Sequence, residues 1–329
     1  MSPATDLGPV YLRRYLAPLA AMLERPDVTD IYVNRPGELW IETLAGATER
    51  HDAPDLDGAT LTRLARQIAA LSHQGISREH PLLSATLPDG ARVQIVAPPA
   101  TRDHLVLAIR KHVSADLSLG DYVASGAFDD TRSSDGGTHE LDLRLQALLG
   151  AGDIAGTLSA AVKGRKNILV SGGTSTGKTT FLNALIREIP TDERLVLIED
   201  TPELRIHHAN AIGLLAARSA LGEARVSTDD LLGASLRMRP DRIIVGELRG
   251  EEAYTFLRAV NTGHPGSMTT VHADSAERAI EQIALLVLQT GTRLNREDVQ
   301  HYVRSTVDVF VQLARTAGRR SVSEVLLRR

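Results

Sequence analysis

The sequence predicts an α/β protein in which a mostly parallel sheet, covered by helices on both faces, follows a smaller α+β unit. Three observations predict it. After residue 140 short, fully apolar runs alternate with helical ones, the pattern of a parallel sheet buried on both sides. A glycine-rich loop, Gly172 to Thr179, joins one apolar run to a helical one. At 329 residues the chain exceeds what one core usually holds, and the polar, turn-forming stretch Ser125–Glu140 is the natural divide. The expected organisation is therefore 1–124, a linker over 125–140, and 141–329.

In the first part, Val10–Leu23 carries Leu12, Tyr15, Leu16, Leu19, Met22 and Leu23 at helical spacing, and Asp57–Leu71 repeats the pattern. Strands are expected at Asp30–Val33, Glu38–Glu42, Arg92–Val96 and Val106–Arg110. The amino-terminal apolar stripe reads as core packing rather than a membrane-surface helix, because its polar face is not strongly basic. In the second part the order is helix Leu141–Val162, strand Asn167–Val170, helix Thr179–Ile189, strand Leu195–Ile198, helix Thr228–Arg237, strand Arg242–Val245 and helix Glu251–Val260. Met268–Val271, Val307–Val311 and Val322–Leu327 extend the sheet. No internal repeat interrupts this alternation.

Composition narrows the function. Thirty-seven Lys and Arg against 41 Asp and Glu give a net charge of −4, which provides no basic footprint for strong direct nucleic-acid binding. The absence of cysteine excludes disulfides and thiolate metal sites. No apolar run reaches membrane-spanning length and the first residues do not read as a signal sequence, so the expectation is a cytoplasmic protein.

The stretch GGTSTGKT after Asn167–Val170 fits G-x-x-x-x-G-K-[ST], with the strand before it and the helix after it that the motif requires. Gly172, Gly173 and Gly177 permit the backbone to curl its N–H groups around phosphate oxygens at a helix start. The nucleotide-binding set is Gly173, Thr174, Ser175, Thr176, Gly177, Lys178, Thr179 and Thr180. Lys178 reaches the β- and γ-phosphates, and the Thr179 hydroxyl sits on Mg²⁺. ATP with Mg²⁺ is the expected ligand; a plain glycine-rich turn is the bland alternative.

The strand Arg242–Val245 runs into Gly246 and Glu247, where a metal-organising or water-polarising carboxylate belongs in such a sheet. A second acidic group, Glu199, Asp200 and Glu203, follows the first strand after the phosphate loop, so acids at the carboxyl ends of adjacent strands converge on the ligand crevice. Glu203 is the candidate for positioning and deprotonating water, with Glu199 and Asp200 supporting it; the alternative is a turn followed by a helix-start acid. His264 and His272 flank the strand expected beside the acid-bearing one. With no third ligand at metal spacing they are read as hydrogen-bonding a phosphate or a catalytic acid, His272 above all.

In their order and wording SGGTSTGKTT, IEDTPEL, LRMRPDRIIVGELRGEEA and NTGHPGSMTTVHADS resemble the secretion ATPase superfamily, the ring-shaped motors of type II and type IV secretion, pilus assembly and DNA conjugation. Upstream, DVTDIYVNRPGELWIE and HPLLSATLPDGARVQIVAPP resemble the amino-terminal domain of the type IV and conjugative branch. HAD stands where HAN is more usual, and the cysteine-bound metal insert of many type II relatives is missing. The resemblance implies a RecA-like P-loop NTPase domain behind a smaller amino-terminal α+β domain, assembled as a homo-hexamer with ATP between the two. It carries catalytic roles onto Lys178, Glu203, Glu247 and His272, with Thr179 and Glu247 at the metal. It also matches Arg92 and Arg110 to arginines that close over the phosphates, and Arg237 and Arg249 to arginines near the γ-phosphate within or across subunits.

The implied activity is ATP hydrolysis coupled to domain movement, powering protein or protein–DNA export or pilus biogenesis. The implied partners are the chain itself, inner-membrane components of a type IV system, and the secreted protein or protein–DNA substrate, with the motor held peripherally at the inner membrane. Two other classes stay open at this point. One is a nucleotide-gated assembly scaffold that works by binding; the other is a nucleic-acid motor, disfavoured by the acidic balance and the lack of an aromatic, basic strand-binding track. A small-molecule kinase lacks an evident acceptor or lid segment.

Overall fold

The structure is a computed structural model, and it describes residues 8–112, 118–129, 131, 140–217 and 222–328, with side chains from residue 11. The greater part of the expected linker, residue 130 and residues 132–139, lies outside the described residues. The chain begins with α1 (Gly8–Glu24), β1 (Val28–Val33), β2 (Gly37–Thr43) and β3 (Thr48–Ala53), and continues through α2 (Gly58–Leu71), β4 (Leu82–Thr86), β5 (Arg92–Val96) and β6 (Val106–Arg110). These six strands form one antiparallel sheet in the order β3-β2-β1-β6-β5-β4. Asp57 starts α2 by accepting from the Thr60 N–H at 2.6 Å, a bond to the charged form that holds its carboxyl below the usual range. α2 then buries Leu61, Leu64 and Ile68 against α1 and one face of the sheet. Strand β3 was not among the expected strands, because it is a polar edge strand with alternate residues exposed.

Period-two alternation gives this sheet a second buried face. Ile31, Val33, Leu107 and Ile109 point into the core under α1 and α2. Tyr32, Val96, Val106 and Ala108 join a core shared with the rest of the chain, including Leu214, Leu231 and Leu232. Full burial of one such aliphatic side chain contributes about 1.5–3 kcal/mol, so the shared cluster seats the first sheet on the second.

After α3 (Leu119–Ala124), a short helix whose amino-terminal end carries a Ser118–Asp121 capping box, come α4 (Glu140–Gly150) and α5 (Ile154–Lys163). These replace the single helix expected over 141–162. Gly152 adopts a φ of +79°, and Asp153 restarts the helix by accepting from the Gly156 N–H at 2.8 Å. The remaining elements are β7 (Ile168–Gly172), α6 (Lys178–Ile186), β8 (Leu195–Glu199), β9 (Ala211–Leu215), α7 (Thr228–Ser235), β10 (Arg242–Val245), α8 (Glu252–Asn261), β11 (Met268–Val271), α9 (Ala276–Leu288), α10 (Arg296–Thr306), β12 (Val309–Thr316) and β13 (Arg319–Leu327). The seven strands lie in the order β13-β12-β7-β11-β10-β8-β9, parallel except for the β12–β13 hairpin. Apolar runs such as Val196–Ile198 and Arg242–Val245 are buried on both faces, as fully apolar strands require. Neither β9 nor the helices α9 and α10 figured among the expected elements. In β9, Gly213 interrupts the run that would have marked a strand.

Candidate active site

Strands β7, β11, β10 and β8 are consecutive neighbours and parallel, so their carboxyl ends open on one side. Those ends carry Gly172, His272, Glu247 and Glu199 in turn. The loop from Gly172 to Lys178 is shaped by its glycines and its first hydroxyls. A β-carbon on Gly172 would fall 2.4 Å from Thr176 Oγ1 and 3.1 Å from the Leu313 carbonyl, whereas one on Gly173 would meet nothing within 4 Å. Gly172 is thus required by packing, and Gly173 leaves an open approach to the backbone. Ser175 and Gly177 both have positive φ, and the Thr176 hydroxyl donates to the Gly173 carbonyl at 2.9 Å. The result is a cradle of main-chain N–H groups at the start of α6, the anion-binding arrangement of a helix terminus.

Lys178 folds back over this cradle. Its Nζ donates to the Gly172 carbonyl at 3.1 Å and stands 3.3 Å from the His272 ring and 3.8 Å from Glu247 Oε1. Burial pushes its ammonium below the usual lysine range; Glu247 works against that shift and Arg249 adds to it. On Glu247, Oε2 accepts from Arg249 Nε at 2.8 Å and Nη2 at 2.5 Å. Its Oε1 is buried without a hydrogen bond, although His272 Nε2 lies 2.8 Å away. Arg249 also donates to Asp200 at 2.9 Å, so the carboxylates hold its guanidinium above the usual range. Glu252 fixes the turn that carries Arg249 by accepting from the N–H groups of Arg249 and Gly250 at 2.6 and 2.9 Å.

The acid loop is held by two partners. Buried Glu199 Oε1 accepts from the N–H groups of Glu203 and Leu204 at 2.9 and 2.7 Å. Asn183 on α6 donates to the Glu203 carbonyl at 3.2 Å and accepts from the Arg205 N–H at 2.7 Å. The Glu203 side chain is exposed beside the phosphate helix, and Thr179 is half-buried within it. The donor set suits Mg²⁺: one carboxylate with an oxygen free of hydrogen bonds, one hydroxyl, and among the described residues no group of three or more His, Cys, Asp or Glu that would hold a metal alone. Magnesium keeps waters and phosphate oxygens as most of its ligands.

Lys178, Glu247, His272, Arg249 and Asp200 therefore meet in one connected cluster. His264 does not join it. It sits at the opposite end of β11, where its Nδ1 lies 3.0 Å from the Ala259 carbonyl and its own carbonyl accepts from Ser267, a structural post that corrects the expectation of contact with a phosphate or a catalytic acid. Nor do Arg92, Arg110 and Arg237 join the Lys178 cluster of their own chain. They line one separate cavity of about 530 Å³ between the first sheet unit and the turn after α7, together with Gln74 and Leu236. Residues that motif reading missed are Asn183, Glu252 and Arg102, whose guanidinium pairs with Glu199. Asn183 and Arg102 carry no sequence signal beyond chemical type, because their contacts are set by tertiary structure, whereas Glu252 accepts from N–H groups only two and three residues before it.

Comparison with known proteins gives a consistent picture. Residues 138–325 match the family described as Type II/IV secretion system protein. The Type IV secretion system protein VirB11 of Bartonella quintana is 38% identical over 324 residues, covering 94% of this chain and 91% of that protein. VirB11 of Brucella suis is 41% identical over 305 residues, covering 91% and 84%. The crystal structure of the VirB11 ATPase from the Brucella suis type IV secretion system in complex with sulphate superposes with a TM-score of 0.90 at 38% identity, over 96% of this chain and 97% of that one.

Proposed function

The chain belongs to the Type II/IV secretion system protein family and is a secretion ATPase; from that premise we propose that it hydrolyses Mg²⁺–ATP with the Lys178 cluster and turns the cycle into movement of its two sheet units. The observation that carries the reading is the contact of Lys178, His272, Glu247 and Arg249 beside the glycine cradle.

Lys178 and the loop N–H groups bind the β- and γ-phosphates. Thr179 and Glu247 would hold Mg²⁺, which would supply charge neutralisation on the triphosphate. Glu203, exposed on the acid loop, orients water and takes its proton as the water oxygen bonds to the γ-phosphorus and the bond to the ADP oxygen breaks. His272, between Lys178 and Glu247, links the γ-phosphate end of the site to β11. Arg249 neutralises Glu247 and Asp200 in the free site, and its guanidinium is one candidate for the charge developing on the transferring group.

The separate cavity lined by Arg92, Arg110 and Arg237 supports a composite site, in which these three serve the triphosphate of a neighbouring subunit in a homo-hexameric ring. ATP bridging one subunit's cradle and its neighbour's arginines favours a closed arrangement; hydrolysis releases it. The units that move are residues 1–124 and 141–329 about the 125–140 segment. Among the described residues no helix is long and apolar enough to cross a membrane. On this reading the motor works from the cytoplasmic side, peripheral to the inner membrane, on type IV components there and on secreted protein or protein–DNA.

The test is ATP turnover of the wild type beside Lys178→Ala and Glu203→Gln, with mass by light scattering in the same nucleotide. Each variant is expected to lose on the order of a hundredfold or more in turnover, and the wild type to show a mass near six chains. A folded wild type that binds nucleotide as a monomer without turnover would withdraw the motor and leave a nucleotide-gated scaffold.

A further inference from the structure

The first sheet unit reaches the acid loop through one side chain. Residues 100–102, between β5 and β6, lie antiparallel along the edge strand β9: Leu215 donates to the Ala100 carbonyl at 2.9 Å, Thr101 pairs with Leu214, and Arg102 donates to the Gly213 carbonyl at 3.1 Å. From there the Arg102 side chain crosses β9 and ends on Glu199 of the next strand, β8. It can cross only because residue 213 is glycine, where a β-carbon would stand 2.5 Å from Arg102 Nε and 2.6 Å from Cδ.

Glu199 is divided between two tasks. One carboxylate oxygen takes the Arg102 guanidinium, and the other caps the N–H groups of Glu203 and Leu204. The side chain is only 3% exposed, and that of Arg102 only 18%. The cation that faces a carboxylate so buried holds it in place, and with it both caps. Removing the arginine leaves a buried carboxylate oxygen without its partner, which loosens the loop that carries Glu203.

We infer that Arg102 is a positioning residue for hydrolysis: it makes the placement of the water-orienting Glu203 depend on the first sheet unit being seated along β9. This rests on the reading of the chain as an ATPase. It assigns to the first unit a role within its own chain's site, separate from that of Arg92, Arg110 and Arg237. The phosphate cradle contains no atom of the Arg102–Glu199 path, so the effect falls on the chemical step and leaves ground-state nucleotide binding alone.

Arg102→Ala is expected to lower kcat by on the order of tenfold while KM for ATP, and the Kd of a fluorescent ADP analogue, change by less than about twofold. Gly213→Ala, which blocks the crossing while leaving both charged residues in the sequence, should reproduce the kcat loss, and Arg102→Lys should recover part of it. Glu199→Gln keeps an acceptor for the two N–H groups but gives up the ion pair. In that background Arg102→Ala should cost no more than about a further twofold, where independent roles would multiply. The inference is overturned if folded Arg102→Ala, or folded Gly213→Ala should Arg102→Ala not fold, keeps the wild-type kcat. It is equally overturned if the loss appears in KM or Kd, or if the Arg102 and Glu199 effects multiply. A wild type without turnover would sink the ATPase reading instead, which separates the two failures.

Discussion

Strands β8 and β10 carry an arginine at their entry and an acid at their exit, and the two ends of these neighbouring strands are built to opposite rules. At the entry, Arg242 is fully buried and its donors are satisfied by Glu193 at 2.7 and 2.6 Å and by the Val162 carbonyl at 2.7 Å. Arg194 is also buried, under the Tyr32 ring at 4.0 Å, with donors to the Met238 carbonyl and to Asn34. Burial pushes its guanidinium down to about 10, still charged at neutral pH. At the exit, Glu247, Arg249, Asp200, Lys178 and His272 form a chain of half-exposed charges with one carboxylate oxygen left without a hydrogen bond. The entry end is closed, with every Arg242 nitrogen paired and one Arg194 nitrogen, Nη2, buried without a hydrogen bond, which suits holding strands together. The exit end is open to solvent through Arg249, Asp200 and His272, which suits a polyanion. Residue type alone does not separate structure from function here, and neither does one missing partner; access from solvent does.

The comparison breaks most directly at Arg242. Arg242→Ala leaves Glu193 buried with only the half-exposed Arg165 near it at 3.2 Å, and should cost about 3–5 kcal/mol of unfolding free energy in urea. Replacing the pair together, Arg242→Met with Glu193→Leu, should restore most of that loss, since two matched apolar groups need no partners. A loss under about 1 kcal/mol, or a turnover defect in protein that remains folded, would show that the entry end is not merely structural.

The second test sharpens the exit end by asking which subunit completes it. Lys178→Ala and Arg237→Ala are each expected to be poorly active alone, the arginine variant by roughly ten- to a hundredfold. If Arg237 serves a neighbour, mixing the two inactive proteins in one ring places an intact Lys178 opposite an intact Arg237 at some interfaces, and turnover returns. No recovery in mixed rings of confirmed composition would assign Arg237 to its own subunit or to none.

The sequence made the exit end more legible than the entry end, for physical reasons. The strand–loop–helix around Gly172 to Thr179 is a local pattern: Gly172 is demanded by contact with Thr176 and Leu313, and Gly177 by its φ of +93°. Glu247 and Glu203 sit just beyond apolar strands, and the alternation of elements placed them on one edge of the sheet. His264 and His272 both flank β11, with His272 the favoured one, and because a strand separates their ends only His272 of the two reaches the Lys178 cluster. Arg102 and Asn183 were invisible because their partners are chosen by tertiary contacts, across as many as 97 residues for Arg102 and Glu199, whereas the partners of Glu252 lie two and three residues away. Gly213 carried no reading of its own, and its missing side chain is what admits Arg102.

The smallest expected effect concerns the proton on Lys178. Burial holds its ammonium below the ordinary lysine value, so below that lowered value the folded protein bears the cost of a buried charge, and the cost is relieved as pH rises toward the unfolded value of about 10.4. Binding runs the other way. A triphosphate favours the ammonium, so affinity is complete below the lowered value and declines above it, by up to about tenfold per pH unit. The Kd of ADP measured from neutral to alkaline pH should therefore rise earlier than an ordinary lysine would require. Lys178→Arg should flatten the profile, because its guanidinium stays charged throughout. Glu247→Gln removes the charge that opposes the shift and should move the onset to lower pH. An onset unmoved by Glu247→Gln would mean that the 3.8 Å approach of Glu247 to Lys178 does not persist in solution, and with it the coupling that sets the exit end apart from the entry.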